Sequence, residues 1–319
     1  MNNFWQKLPK PFTVLAPMDG VTDIVFREVI NEFGRPDVFF TEFTMTDGLV
    51  SVGHNKVAER LLFTQEQKPI VAQIWGTVPH HFYQVAKELK KLGFSGIDIN
   101  MGCPERTVIR FGACSGLIKN PALAAEIIQA TKEGAEGLPV SVKTRIGFEK
   151  EAIHEWLSFL LQQDVTVLTV HLRTVRELSK VPAHWELMQE IIKLRNDIAP
   201  HTLITGNGDI SSMNDIKTKY EKYRCDGFMI GRGIFANPWM FSKIIDEETV
   251  TPKQRVDYFL HHIALFEKQW QDTKNFAILK KFAKTYINNF PEAAIFREKL
   301  METKKIEDLK QTLKNYNSK

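Results

Sequence analysis

Thr202-Leu203-Ile204-Thr205-Gly206-Asn207-Gly208-Asp209 and Gly227-Phe228-Met229-Ile230-Gly231-Arg232-Gly233 are two copies of one device, separated by a helical stretch. Each is a short apolar run ending in a glycine-rich turn with polar residues. Runs without polar alternation suit strands buried on both faces, and the helical stretch between them supplies a parallel crossover. Working back toward the N-terminus, the pattern repeats at 12–16, 37–41, 69–74, 96–100, 139–144 and 165–171, with amphipathic segments between. With 202–205 and 227–230 that makes eight strand–helix pairs, which predicts a closed barrel rather than an open sheet. After about residue 246 the strand signal stops. The expected fold is α/β: a (β/α)8 TIM barrel over residues 1–245 with a C-terminal all-helical domain over 246–319. In that domain Phe282, Tyr286, Ile287 and Phe290 recur at helical spacing and are expected to form core.

The 319 residues are 43% hydrophobic and 25% charged, a composition that supports a sizeable core. Net charge is +4, unevenly placed: residues 251–319 hold 14 Lys and Arg against 8 Asp and Glu, and residues 1–250 hold 28 against 30. A basic appendage on a near-neutral body suits a division between holding phosphates and doing chemistry; a solvated helical face accounts for the charge equally well. Cys103, Cys114 and Cys225 match no zinc or disulfide spacing, so no metal site is expected. Residues 1–7 lack a basic start followed by an apolar run, and no apolar run reaches about 18 residues. The expectation is a cytoplasmic protein with no membrane partner and no obligate protein partner.

In such a barrel the active site lies at the C-terminal strand ends. Those ends carry Pro17 and Met18, Glu42, Gln73, Asn100 with Cys103, Lys143 with Arg145, His171 with Arg173, Asn207 with Asp209, and Gly231 with Arg232. Residues two apart on a strand share a face, so Lys143 pairs with Arg145 and His171 with Arg173. Cations crowded in this way require an anion, either a ligand or one of Glu42, Asp98 and Asp209. The glycine turns at 206–209 and 231–233 allow close backbone approach, as a phosphate pocket after the last two strands needs. Cys103 stands between Gly102 and Pro104 in a long loop after the fourth strand. An unperturbed thiol of pKa about 8.5 mostly keeps its proton at neutral pH and can act as a general acid. Cys114 is the rival, in what reads as a tight turn.

Six motifs in order resemble the signature set of the dihydrouridine synthases: Leu15-Ala16-Pro17-Met18, Asn100-Met101-Gly102-Cys103-Pro104, Val142-Lys143-Thr144-Arg145-Ile146-Gly147, His171-Leu172-Arg173-Thr174, Gly206-Asn207-Gly208-Asp209 and Gly231-Arg232-Gly233. The resemblance implies FMN in the barrel mouth. Pro17 and Met18 would lie along the ring, Gln73 and Lys143 would contact it, and His171 would lie near it. Asn207, Gly208, Asp209, Gly231 and Arg232 would hold the phosphate end. It further implies NADPH or NADH as reductant, tRNA as substrate, and Cys103 as the acid that protonates C5 of uridine while hydride reaches C6. Asn100, Arg145 and Arg173 would orient the extruded base, and Lys280, Lys281, Lys284 and Arg297 would hold RNA phosphates. The sequence departs from the family pattern at Ser179-Lys180-Val181, and at Cys114 and Gly116. Two other readings remain open at this point: a flavin barrel acting on a small molecule, such as a dihydroorotate dehydrogenase, and a non-catalytic RNA-binding protein.

Overall fold

The structure, a computed structural model, describes residues 3–245 and 247–317. Asp246, where the helical domain was expected to begin, lies outside the described residues, as do Met1, Asn2, Ser318 and Lys319.

Nine strands are present among the described residues: β1 (Phe12–Leu15), β2 (Phe39–Phe40), β3 (Thr44–Met45), β4 (Ile70–Trp75), β5 (Gly96–Met101), β6 (Val140–Arg145), β7 (Val167–His171), β8 (Leu203–Asn207) and β9 (Gly227–Ile230). All pair in parallel, in the order β1-β9-β8-β7-β6-β5-β4-β2, with β3 also on β4. A bridge between Val14 and Val38 joins β1 to the residue before β2. The ring is thereby closed, as the eight sequence runs predicted.

The second barrel position is split. Phe39 pairs with Ile70 at the start of β4, and Thr44 pairs with Ile74 near its end. Between them the Thr41 and Thr44 hydroxyls donate to the Glu42 carbonyl, at 2.9 and 3.2 Å, and Thr41 Oγ1 accepts from the Gln73 N–H at 3.1 Å. A side-chain hydroxyl here replaces a ladder bond, so the run 37–41 gives only the short β2, and β3 follows beyond its end.

The lower barrel is filled by Trp5, Phe12, Val14, Val38, Phe40 and their neighbours, with Trp5 carried in by the N-terminal turn Phe4–Lys7. Gly227, opposite Phe12, has no room for a side chain: a Cβ there would lie 2.1 Å from Phe12 Cε2.

By internal packing the chain forms two units, one of residues 1–24, 36–210 and 214–231, the other of 25–35, 211–213 and 232–319. This division cuts across the linear one at 245/246. The helix Ile24–Phe33 supplies Phe26 and Phe33 to the second unit, where Phe26 stacks on Phe282 at 5.0 Å and Phe33 meets Tyr258 edge-on at 4.6 Å. The long helix of that unit, Pro252–Trp270, starts at a capping box of Thr251 and Gln254 with proline at its first position. Phe282, Tyr286 and Ile287 are buried as expected, and Phe290 is half-buried against Tyr316. None of the described helices is long and apolar enough to cross a membrane.

Candidate active site

Alternation along the strands sends Gln73, Asp98, Asn100, Ser141, Lys143 and Asn207 into the upper barrel, above the apolar layer. They interlock. The Gln73 amide donates to Asp98 Oδ2 at 2.7 Å and Ser141 Oγ to Asp98 Oδ1 at 2.5 Å. Asn100 Nδ2 donates to Gln73 Oε1 at 3.0 Å, Lys143 Nζ to Asn207 Oδ1 at 3.3 Å, and Asn207 Nδ2 to the Met229 carbonyl at 2.8 Å. Burial pushes the Asp98 carboxyl up to about 6, against the two hydrogen bonds that favour its ionised form. Burial, reinforced by repulsion from Arg145, brings the Lys143 ammonium down to about 8.

Asn100 also builds the loop that carries Cys103. Its Oδ1 accepts from the backbone N–H groups of Gly102 and Cys103, both at 3.0 Å, which turns the chain sharply at the end of β5. The Ser115 hydroxyl donates to the Cys103 carbonyl at 2.6 Å, so the 3-10 turn Cys114–Lys119 folds back on the same point. Cys103 is half-buried at this position and Cys114 is fully buried. A hydrogen bond from the Cys114 thiol brings Cys103 down to about 7, and the Glu105 N–H and the Arg145 charge act in the same direction against desolvation. Burial pushes Cys114 up. Cys103 is therefore not an unperturbed thiol: its pKa is brought toward neutrality, the direction that suits a proton donor working at neutral pH. The contact of Cys103 with Cys114 spans a loop and has no signal in spacing.

The two arginines serve mainly as struts. Arg145 Nε donates to the Gly102 carbonyl at 2.8 Å, and Nη1 to those of Thr174 and Leu178, each at 3.0 Å. Nη2 is its one nitrogen without a protein partner among the described residues. Arg173 uses all three nitrogens, on the Val181 carbonyl at 2.6 Å, on His171 Nε2 at 3.2 Å and on Asp209. One of the two crowded basic pairs thus has an internal anion. Lys143 hydrogen-bonds a neutral amide in a buried position, and the charge of Asp98 favours its ammonium form against burial and Arg145.

The turn after β8 is built on positive φ at Gly208 (126°) and Asp209 (48°). The Asp209 carboxylate accepts from Arg173 and from the Ala183 N–H at 2.8 Å, which fixes the turn rather than offering an anion to a ligand. At the end of β9 a Cβ added to Gly231 would meet nothing nearer than Ala16 Cβ at 3.9 Å. Packing within the protein therefore does not require glycine at 231, and the space beside it is open. Thr205 Oγ1, buried in the barrel, has no hydrogen-bond partner. Pro17 and Met18 are half-exposed after β1, where the Thr22 hydroxyl accepts from the Met18 N–H at 2.9 Å. An under-compensated buried ammonium, an orphaned hydroxyl and an open glycine cradle fit a planar, phosphate-bearing anionic cofactor.

The family model for dihydrouridine synthases (Dus) matches residues 14–319. The chain belongs to the dihydrouridine synthase family. It is 48% identical over 317 residues to a probable tRNA-dihydrouridine synthase of Staphylococcus aureus (strain COL), covering 98% of this chain and 95% of that protein. It is 47% identical over 320 residues to probable tRNA-dihydrouridine synthase 2 of Bacillus subtilis (strain 168), covering 99% and 97%. A 2-naphthoyl-CoA reductase in complex with 2-naphthoyl-CoA shares the fold, with a TM-score of 0.55 at 10% identity over 73% of this chain and about half (49%) of that one. As a dihydrouridine synthase, this chain is a flavin-dependent oxidoreductase that reduces uridine to 5,6-dihydrouridine in tRNA.

The basic residues expected to hold RNA divide into two kinds in this dihydrouridine synthase. Lys280 Nζ donates to the carbonyls of Met301 and Thr303 and so closes the end of the helix Ala293–Glu302. Arg297 Nη1 donates to the Ile287 carbonyl at 2.7 Å. Both are structural ties. Lys281 and Lys284 instead line a cleft of about 580 Å³ with Arg232, Thr285 and Asn289. Thr285 is buried and its Oγ1 lacks a partner. Arg232, expected at the cofactor phosphate, is also among the residues lining this cleft.

Proposed function

We propose that this dihydrouridine synthase takes FMN as its resident cofactor, NADPH or NADH as reductant, and Cys103 as the acid that completes reduction of an extruded uridine. The observation that carries the reading is Cys103 itself, half-exposed at the barrel mouth, pinned by Asn100 and poised near neutrality. When bound, the flavin supplies the hydride for C6 of the uracil. Cys103 delivers its proton to C5, and the positive charge of Arg145 steadies the thiolate left behind. Lys143 and Gln73 hold the ring, with His171 near it and Pro17 and Met18 along it. Backbone N–H groups at Asn207, Gly208, Asp209 and Gly231 receive the phosphate. Arg145 keeps Nη2 for a uracil oxygen, whereas Asn100 and Arg173 act by holding the loops in place. Lys281, Lys284 and Arg232 grip RNA phosphates. A protein with this task works in the cytoplasm.

Anaerobic reoxidation of the reduced protein tests the assignment. Transfer RNA is expected to restore the flavin absorbance, with free orotate and simple enones far slower; efficient reoxidation by either small molecule, with none by tRNA, would overturn it.

The Cys103–Cys114 contact carries its own prediction. Because the protonated thiol is the active form, the tRNA-dependent step should slow as pH rises through about 7. Cys114→Ala removes the hydrogen bond that stabilises the thiolate, so the same limb should move to higher pH. A pH profile unaltered in Cys114→Ala would disprove the coupling.

A further inference from the structure

We infer that the barrel unit carries a second RNA contact, a cleft beside the catalytic loop that takes a nucleotide next to the reduced uridine. The inference rests on tRNA being the substrate and adds a site on the unit that performs the chemistry.

The cleft, of about 430 Å³, is lined by Pro104, Arg106, Arg110, Phe148, Val175 and Leu178 among others. It begins at the residue after Cys103. Arg106 and Arg110 lie four apart on the helix Arg106–Arg110 and so share a face. Both are exposed, and neither side chain has an ion pair or hydrogen bond among the described residues. The carboxylate among the lining residues, Glu149, is itself paired with Arg176 at 3.7 Å. The cleft therefore presents two uncompensated cations.

Aromatic surface lies beside them. The aromatic ring in the lining is that of Phe148, on the wall facing the helix Arg106–Arg110. Phe148 is half-buried, with the Lys119 ammonium 3.6 Å from its ring centroid. Free arginines that share a cleft with the half-buried Phe148 ring match what an unstacked strand offers, phosphates for the cations and a base face for the ring.

The cleft is also tied to the chemistry. The guanidinium of Arg145 joins the Gly102 carbonyl of the catalytic loop to the Thr174 and Leu178 carbonyls of the opposite wall. The N–H groups of Val175 and Arg176 add bonds to Gly147 and Phe148, both at 3.0 Å. A nucleotide held here is thus held at a set position relative to Cys103, which a base flipped out of a folded RNA requires of its neighbours.

The test compares the flavin-loaded full chain with Arg106→Gln/Arg110→Gln and with Phe148→Ala. The double variant should raise KM for tRNA about tenfold without a matching fall in kcat, and should make the salt dependence of binding shallower by about 0.7 per arginine removed. Phe148→Ala should raise KM by a similar factor, about tenfold, and Phe148→Trp should restore it. Wild-type KM and salt slope in both variants would overturn the site and leave an acidic protein partner as the better occupant. Failure of the wild-type protein to reduce tRNA at all would instead overturn the substrate assignment, so the two failures are distinct.

Discussion

Cys103→Ala is expected to slow tRNA-dependent reoxidation of the flavin by about 10²–10⁴-fold, the usual worth of a positioned general acid. Flavin should stay bound. The loop that carries Cys103 is held by Asn100 Oδ1 on two backbone N–H groups and by Ser115 on a backbone carbonyl, none of which involves the thiol. Loss of Sγ therefore removes the proton donor without removing its platform. Single-turnover mixing of the reduced variant with tRNA measures the effect directly. An unslowed rate in a protein that is still yellow would remove Cys103 from the mechanism.

Lys143→Met should slow reduction of the bound flavin by the proposed nicotinamide reductant, NADPH or NADH, by about 10²–10³-fold, the magnitude seen when one preorganised donor is lost from a site of developing charge. The physical cause lies in its surroundings. Burial brings this ammonium down to about 8 against the favourable charge of Asp98, and its hydrogen bond goes to a neutral amide, so an anionic ring would further favour its charged form. Binding of oxidised FMN should weaken less than reduction slows, because the negative charge develops during that step. Stopped-flow bleaching at the flavin band separates the two, and equal loss in binding and rate would assign Lys143 a plain binding role.

Much of this site could be read from residue order alone. Gln73, Asn100, Lys143, His171 and Asn207 all close apolar runs, and strand ends of a parallel barrel converge whatever the loops do. Roles were less legible than positions. Asn100, Arg173, Lys280 and Arg297 have the chemistry to bind RNA, yet each is engaged with the protein's own backbone or side chains, and no spacing rule says which buried carbonyls will lack a donor. Asp98 and Ser141 lie two residues before Asn100 and Lys143, so their inward parity was available, but their hydrogen bond across adjacent strands depends on register.

The order of hydrophobic runs and glycine turns by itself determined the closed parallel barrel, the helical appendage and the rim on which the chemistry collects, because strand period and turn chemistry are local properties of the chain. Only the tertiary structure decided that Cys114 reaches Cys103 and lowers its pKa, that the helix after β1 packs with the C-terminal helices, and that Arg145 joins the catalytic loop to the neighbouring cleft. These are contacts between residues far apart in sequence, and burial and register, which act only once the barrel has closed, select them.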